Sequence, residues 1–189
     1  MPARLILLCH ASTAAVRRGA FGADEPLDPP GAAEAAAAAD TFGRVSGSWR
    51  GPSLRCAQTA AALGLTAQVA SELRDCDFGS WTGRDLSEVQ DEAPEAVAAW
   101  LTDPAAAPPG GESVLALLAR AGGWLDGHPW PAGQTVAVTH PAVIRAAVVH
   151  AIQATPASFW RIDVAPLSRT VLSGRPGRWT LHAIGGGTR

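Results

Sequence analysis

The 189-residue sequence contains no lysine and no tyrosine, so all fifteen of its basic side chains are arginines. In a chain so rich in alanine, glycine and proline this reflects coding bias. No single arginine is therefore marked out merely by not being lysine, although the guanidinium remains a planar fork of donors suited to oxyanions. An excess of charge of one sign is missing too. The formal net charge of −2 excludes the basic footprint of a nucleic-acid binder or a polybasic membrane surface. Cysteine is scarce: Cys9, Cys56 and Cys76 form an odd set without a framework spacing, which excludes a disulfide scaffold. Long apolar runs are absent as well. The N-terminal one is too short for a signal peptide or a membrane span, and its Leu-Leu-Cys ending lacks the small residue and the basic stretch of a lipoprotein signal. No repeat or boundary interrupts 1–189, so a single cytoplasmic domain is expected.

What is present is alternation. Ala3 to Leu8 reads as a buried strand that ends abruptly in Cys9-His10-Ala11-Ser12-Thr13. A turn-rich loop from Asp24 to Pro30 leads into a helical stretch from Gly31 to Asp40, with Pro29-Pro30 at its start. Arg44 to Arg50 reads as a strand, and Ser53 is placed to cap a helix over Leu54 to Leu63. Val69 to Leu73 is a short strand or extended segment, and Arg84 to Trp100 is one or two helices broken near Pro94. A helix over Glu112 to Leu125 precedes a buried strand from Gln134 to Thr139, and an apolar helix then runs from His140-Pro141 to about Ala154. Thr170 to His182 closes the chain as a hairpin. Strands alternating with helices imply an α/β fold, a three-layer α/β/α sandwich around a mostly parallel sheet.

In such sheets ligands sit beyond the carboxyl ends of the strands. Two strand ends deliver His10 and His140, a helix start delivers Arg55 near a positive dipole end, and the loop after Leu73 delivers Asp75 and Asp77. Two imidazoles, a guanidinium and a carboxylic acid suit attack on, and protonation of, a phosphate ester. Each cysteine neighbours one of these residues, which invites a Zn²⁺ reading with the two histidines. Adjacent strand residues point to opposite faces, however, and small cysteines commonly fill cores, so no metal is expected. His128, His150 and His182 read as ordinary core or surface residues; Trp81 and Trp100 are pocket candidates.

Four segments, spread over nearly the whole chain, resemble the histidine phosphatase superfamily, also called phosphoglycerate-mutase-like. Cys9-His10-Ala11-Ser12-Thr13 stands where the family has Arg-His-Gly-x-Thr, and Gly51 to Ala60 resembles Ser-Pro-x-x-Arg-Ala-x-Gln-Thr-Ala. Leu73-Arg74-Asp75 through Gly83 resembles Leu-x-Glu-x-x-x-Gly-x-x-x-Gly, and Val138-Thr139-His140 resembles the strand of the second histidine. Pro109 to Ser113 matches a familiar preceding segment. The resemblance implies hydrolysis of a small phosphomonoester, with His10 as nucleophile, Asp75 as general acid (Asp77 in reserve), and Arg55 and His140 on the phosphoryl oxygens. It implies no cofactor and no metal. The oligomeric state stays open, a homodimer included.

The phosphate site itself departs from the pattern. Cys9 replaces an arginine, Ala11 replaces a glycine, and Pro141, followed by Ala142, stands where glycine is common and removes a backbone N–H. Losing one preorganised donor typically costs about 2.7–4 kcal/mol of transition-state stabilisation. Thr13 completes the first substrate-binding segment, and Arg17 and Arg18 have two readings: one of them reaches back with the missing charge as a substrate-binding residue, or both form a solvated pair, the more ordinary outcome. Two other readings stay open: a catalytically impaired relative that binds a ligand or partner, and a repurposed acid/base enzyme using His10, His140 and Asp75 on a nonphosphate substrate.

Overall fold

The computed structural model describes residues 3–39, 41–108 and 110–185; Asp40 and Pro109, named above, lie outside them. Six strands form one sheet in the order β3-β2-β4-β1-β5-β6. They are β1 (Ala3–Cys9), β2 (Gly47–Arg50), β3 (Gln68–Val69), β4 (Gly133–Thr139), β5 (Arg169–Arg175) and β6 (Arg178–Ala183). The first four neighbours pair in parallel, whereas β5 and β6 run antiparallel at one edge. The helices are α1 (Ala14–Arg18), α2 (Pro29–Ala37), α3 (Leu54–Ala62), α4 (Leu86–Glu92), α5 (Pro94–Thr102), α6 (Val114–Gly127) and α7 (Pro141–Ala151).

The apolar run of β1 is continuous because both of its faces are covered. Leu5, Leu7 and Cys9 pack into a core with Leu117 and Leu125 of α6 and Ile144 of α7. Ile6 and Leu8 face the opposite core, with Cys56 and Ala60 of α3. Each such leucine contributes about 1.5–3 kcal/mol on burial, so a one-residue slip of β1 would be strongly disfavoured. A third cluster, Phe21, Trp81, Val89, Val97 and Trp100, gathers α4, α5 and the loops before them. The α/β/α sandwich anticipated from the alternation is therefore the observed architecture.

Element ends differ in instructive places. Residues 44–46 do not join β2, which is only four residues long. Val69 to Leu73 divides into the end of β3 and a 3-10 turn over Ser71–Leu73. α7 stops at Ala151, and Gln153 then takes a left-handed conformation with φ 54°. No helix among the described residues is long and apolar enough to cross a membrane.

Candidate active site

β1 and β4 pair in register with Cys9 opposite Thr139, so His10 and His140 leave the sheet side by side. The His10 N–H donates to Thr139 O at 2.9 Å, and the two imidazole centroids lie 5.2 Å apart. β2 is the other neighbour of β4, and the chain leaving it turns through Gly51 into α3, where Ser53 Oγ accepts from the Cys56 N–H. Position 51 has to be glycine: a Cβ there would stand 2.5 Å from Leu73 O and 3.3 Å from His140 Nε2. That close approach brings Arg55, in the first turn of α3, against the histidine pair.

His10 is 2% exposed, and its Nδ1 lies 2.8 Å from Ala11 O. A carbonyl only accepts, so Nδ1 carries the proton and Nε2 keeps its lone pair. Burial, and then the positive charge of His140, push the His10 pKa down to about 3. The ring is neutral at any ordinary pH. Its backbone is held too: the Ala11 N–H donates to Thr59 Oγ1 at 3.0 Å, and that hydroxyl donates to Arg55 O at 2.7 Å.

Arg55 is buried and fully engaged. Its Nη2 donates to Asp75 Oδ2 at 2.7 Å, its Nη1 donates to Ala23 O and lies 3.5 Å from Glu25 Oε2, and its Nε lies 3.3 Å from His140 Nδ1. The same Nδ1 lies 3.3 Å from Asp75 Oδ2. It accepts from Arg55 when bare and donates to Asp75 when protonated, but cannot do both. Burial pulls His140 toward neutrality, but the Asp75 carboxylate outweighs it and lifts its pKa to about 9. For Asp75, burial favours the acid, yet His140 and Arg55 prevail and hold it well below the usual carboxylate range. At neutral pH the pair is thus an imidazolium donating to a carboxylate. His140 Nε2 lies 3.3 Å from Ser53 Oγ and 3.5 Å from Cys56 Sγ.

The loop carrying Asp75 is clamped from two sides. Thr139 Oγ1 donates to Leu73 O at 2.9 Å. Arg120 of α6, paired with Glu112 at 2.6 Å, donates to the carbonyls of Glu72, Arg74 and Asp75.

His10, Arg55 and Asp75 border a cavity of about 230 Å³. Its polar floor is His10, Arg55, Asp75 and Glu25, with Pro141, Ala142 and Arg145 entering from α7. Its walls are aromatic, including Phe21, Phe78, Trp100 and Trp160.

The structure brings His10, Asp75, Arg55, Pro141 and Ala142 together on that lining. His140 is fully buried behind Asp75 and does not reach the cavity. Cys9, Ala11 and Thr13 are buried off the lining: Cys9 because its alternation in β1 turns it into the core, where burial pushes its thiol well up, and Thr13 because it caps α1 and donates to Glu25 Oε1 at 3.0 Å. For Arg17 and Arg18 the solvated pair is the observed reading, and their substrate-binding placement is corrected. They are 51% and 55% exposed on the outward face of α1, pair with Asp28 and Asp85, and do not border the cavity. Asp77 is exposed and spends Oδ1 on the Gly79 N–H, off the lining. Trp100 lines the cavity, whereas Trp81 packs behind it with centroids 5.8 Å apart. His128 sits among Trp49, Trp124 and Trp130, while His150 pairs with Asp126 and His182 with Ser173. Among the described residues no three or more His, Cys, Asp or Glu side chains are placed to hold a metal ion.

Glu25, Thr59, Arg120 and Arg145 escaped the reading of the sequence. Thr59 stood in the Gln-Thr-Ala segment, and Arg145 lies one helical turn beyond Pro141, which a helical wheel from the second histidine would have shown.

A neutral histidine at a parallel-strand end thus stands beside an Arg–Asp–His cluster in an α/β fold. The family model of the histidine phosphatase superfamily (branch 1) matches residues 5–186, and the chain belongs to that family. A bifunctional protein of Mycobacterium tuberculosis is 34% identical over 128 residues, which are 63% of this chain and 35% of that protein. The chain thus spans only about a third of that relative's length. Glucosyl-3-phosphoglycerate phosphatase of the same organism is 33% identical over 131 residues, covering 62% of this chain and 56% of the enzyme. The solved structure of the mycobacterial glucosyl-3-phosphoglycerate phosphatase with VO3 superposes with a TM-score of 0.85 at 28% identity, covering 98% of this chain and 99% of that one.

Proposed function

We propose that this protein hydrolyses small phosphomonoesters through a phosphohistidine on His10, with an apolar or aromatic alcohol as leaving group. The observation that carries the reading is the His10 ring: neutral, oriented by Ala11 O, and bordering a cavity that it shares with Asp75. Nε2 attacks phosphorus, the P–O bond to the alcohol breaks, and Asp75 delivers a proton to the departing oxygen. That proton comes from the His140–Asp75 pair, which holds one up to about pH 9. An incoming phosphoryl group competes with Asp75 for Arg55 Nη2, and loosening that contact makes the carboxylate more basic and draws the proton onto it. Water then attacks phosphorus, Asp75 takes its proton, the P–N bond breaks, and phosphate leaves. The aromatic walls select the alcohol.

One observation favours ligand binding without turnover as a second reading. Arg55 is already neutralised by Asp75 and Glu25, so phosphate has to displace them. Incubation with aryl and alkyl phosphomonoesters, followed by a search for an acid-labile phosphoryl adduct, separates the two. The adduct is expected in the parent protein and absent from His10→Ala. No adduct and no turnover with any ester would leave only the binding reading.

A further inference from the structure

We propose that Arg145 binds the transferred phosphoryl group, supplying from α7 the guanidinium that position 9 lacks. This rests on the cavity being the phosphate site. Arg55 is poorly placed to serve alone, because its Nη1 and Nη2 are already spent on Ala23 O and Asp75 and its Nε faces His140. Arg145 is the opposite case. Its Nε donates to Ile162 O at 2.8 Å, and its guanidinium carbon lies 5.9 Å from the Phe159 centroid and 6.0 Å from the Trp160 centroid. One bond and two rings fix the plane of the fork. Among the described residues no hydrogen-bond or ion-pair partner meets either terminal nitrogen, and the side chain borders the same cavity as His10. A guanidinium held from behind with its terminal donors unspent is preorganised for a tetrahedral anion.

The charge balance points the same way. Protonated His140 and Arg55 are matched by Asp75 and Glu25, whereas among the described residues Arg145 has no carboxylate in ion-pair contact, the exposed Asp163 acting on it only from beyond that range. Without it a phosphate dianion would enter a neutral site. The location suits as well. Cys9 points to the face of the sheet on which α7 packs, and Arg145 acts on its thiol more strongly than Arg55 does. Pro141, Ala142 and Arg145 share one face of α7, which places Arg145 a single turn above the helix start next to His140. The cation expected from the loop after β1 comes instead from the helix after β4.

The test is titration calorimetry of the parent protein, Arg145→Ala and Arg145→Lys with inorganic phosphate and with orthovanadate, alongside steady-state hydrolysis of p-nitrophenyl phosphate. Charge-assisted bonds of this kind translate into a loss of about tenfold to hundredfold in phosphate affinity for Arg145→Ala. A comparable fall in kcat/KM is expected, with part of both recovered in Arg145→Lys. Arg17→Ala, outside the cavity, binds as the parent does. Phosphate affinity that is unchanged in Arg145→Ala, or no phosphate binding by the parent, overturns the proposal. Calorimetry needs no turnover, so a protein that binds phosphate through Arg145 but cleaves no ester refutes the hydrolytic reading and keeps this one. Should Arg145→Ala fail to melt cooperatively, Arg145→Gln retains a side-chain amide of similar reach and is held to the same criterion.

Discussion

The pairing of buried His140 with half-buried Asp75 makes a quantitative demand on stability that is independent of any substrate. Histidine in an unfolded chain titrates near pH 6.5, whereas Asp75 lifts folded His140 to about 9. A raised folded pKa means that the native state binds the extra proton. The contribution is complete below about pH 6.5 and is lost as pH rises through about 9. At 1.36 kcal/mol per pH unit the gap amounts to roughly 3 kcal/mol. For a chain of this length that corresponds to a fall in Tm of about 6–12 °C between pH 6.5 and 9.5. The thiols of Cys9 and Cys76, pushed up by burial, also cost stability at high pH as their unfolded counterparts ionise. The informative quantity is therefore the difference between two melting curves. His140→Gln leaves Asp75 on Arg55 and should lose the His140 share of the alkaline decline, flattening it by about that 6–12 °C. Calorimetric melts of both proteins from pH 5 to 9.5 measure this directly. Parallel curves would refute the reasoning, because His140 would then carry no extra proton in the folded state. On the acid side the sign reverses. His10 is held neutral down to about pH 3, so its contribution is complete above about 6.5 and is lost as pH falls. The two histidines together place the stability maximum near pH 6.5.

Asp75→Asn should lower kcat about 10²–10⁴-fold on an alkyl phosphate, and far less on p-nitrophenyl phosphate, whose oxygen departs without a proton. Equal losses on the two esters would remove Asp75 from the acid role. Thr59→Val leaves the buried Ala11 N–H without its acceptor and should cost about 1–3 kcal/mol, read as a lower Tm at pH 7; an unchanged Tm would mean that this bond contributes nothing.

The parts of the site that sit on strand ends were legible in the sequence. A buried run terminated by histidine, occurring twice, already implies two imidazoles at one edge of a parallel sheet, and the register of β1 with β4 realises it. Arg55 was legible because a serine cap fixes where α3 begins. Side-chain direction was less so. Cys9 and His10 are adjacent in sequence, yet one is sealed in the core and the other borders the cavity. Arg17 and Arg18 are near His10 along the chain, but a five-residue helix that no periodicity announced turns them outward. Arg145 looked like one polar residue on an apolar helix; only the fold brings Phe159, Trp160 and Ile162 behind it. The walls were illegible for the same reason, since Phe21 comes from the connection between β1 and β2, Phe78 and Trp100 from that between β3 and β4, and Trp160 from that between β4 and β5.

The pairing of β1 with β4 also separates two kinds of change open to this molecule. The separation of the two backbones that carry the imidazoles is set by the spacing of hydrogen-bonded strands, about 4.8 Å. The aromatic rings over the cavity hang on connections that contribute no strand to the sheet. Residues such as Phe78 and Trp100 can thus be exchanged, by drift or by design, without moving the strand ends that carry the two imidazoles. The make-up of those two walls and the spacing of the histidines are mechanically uncoupled, so the cavity can be reshaped on that side while the paired strand ends stay in place.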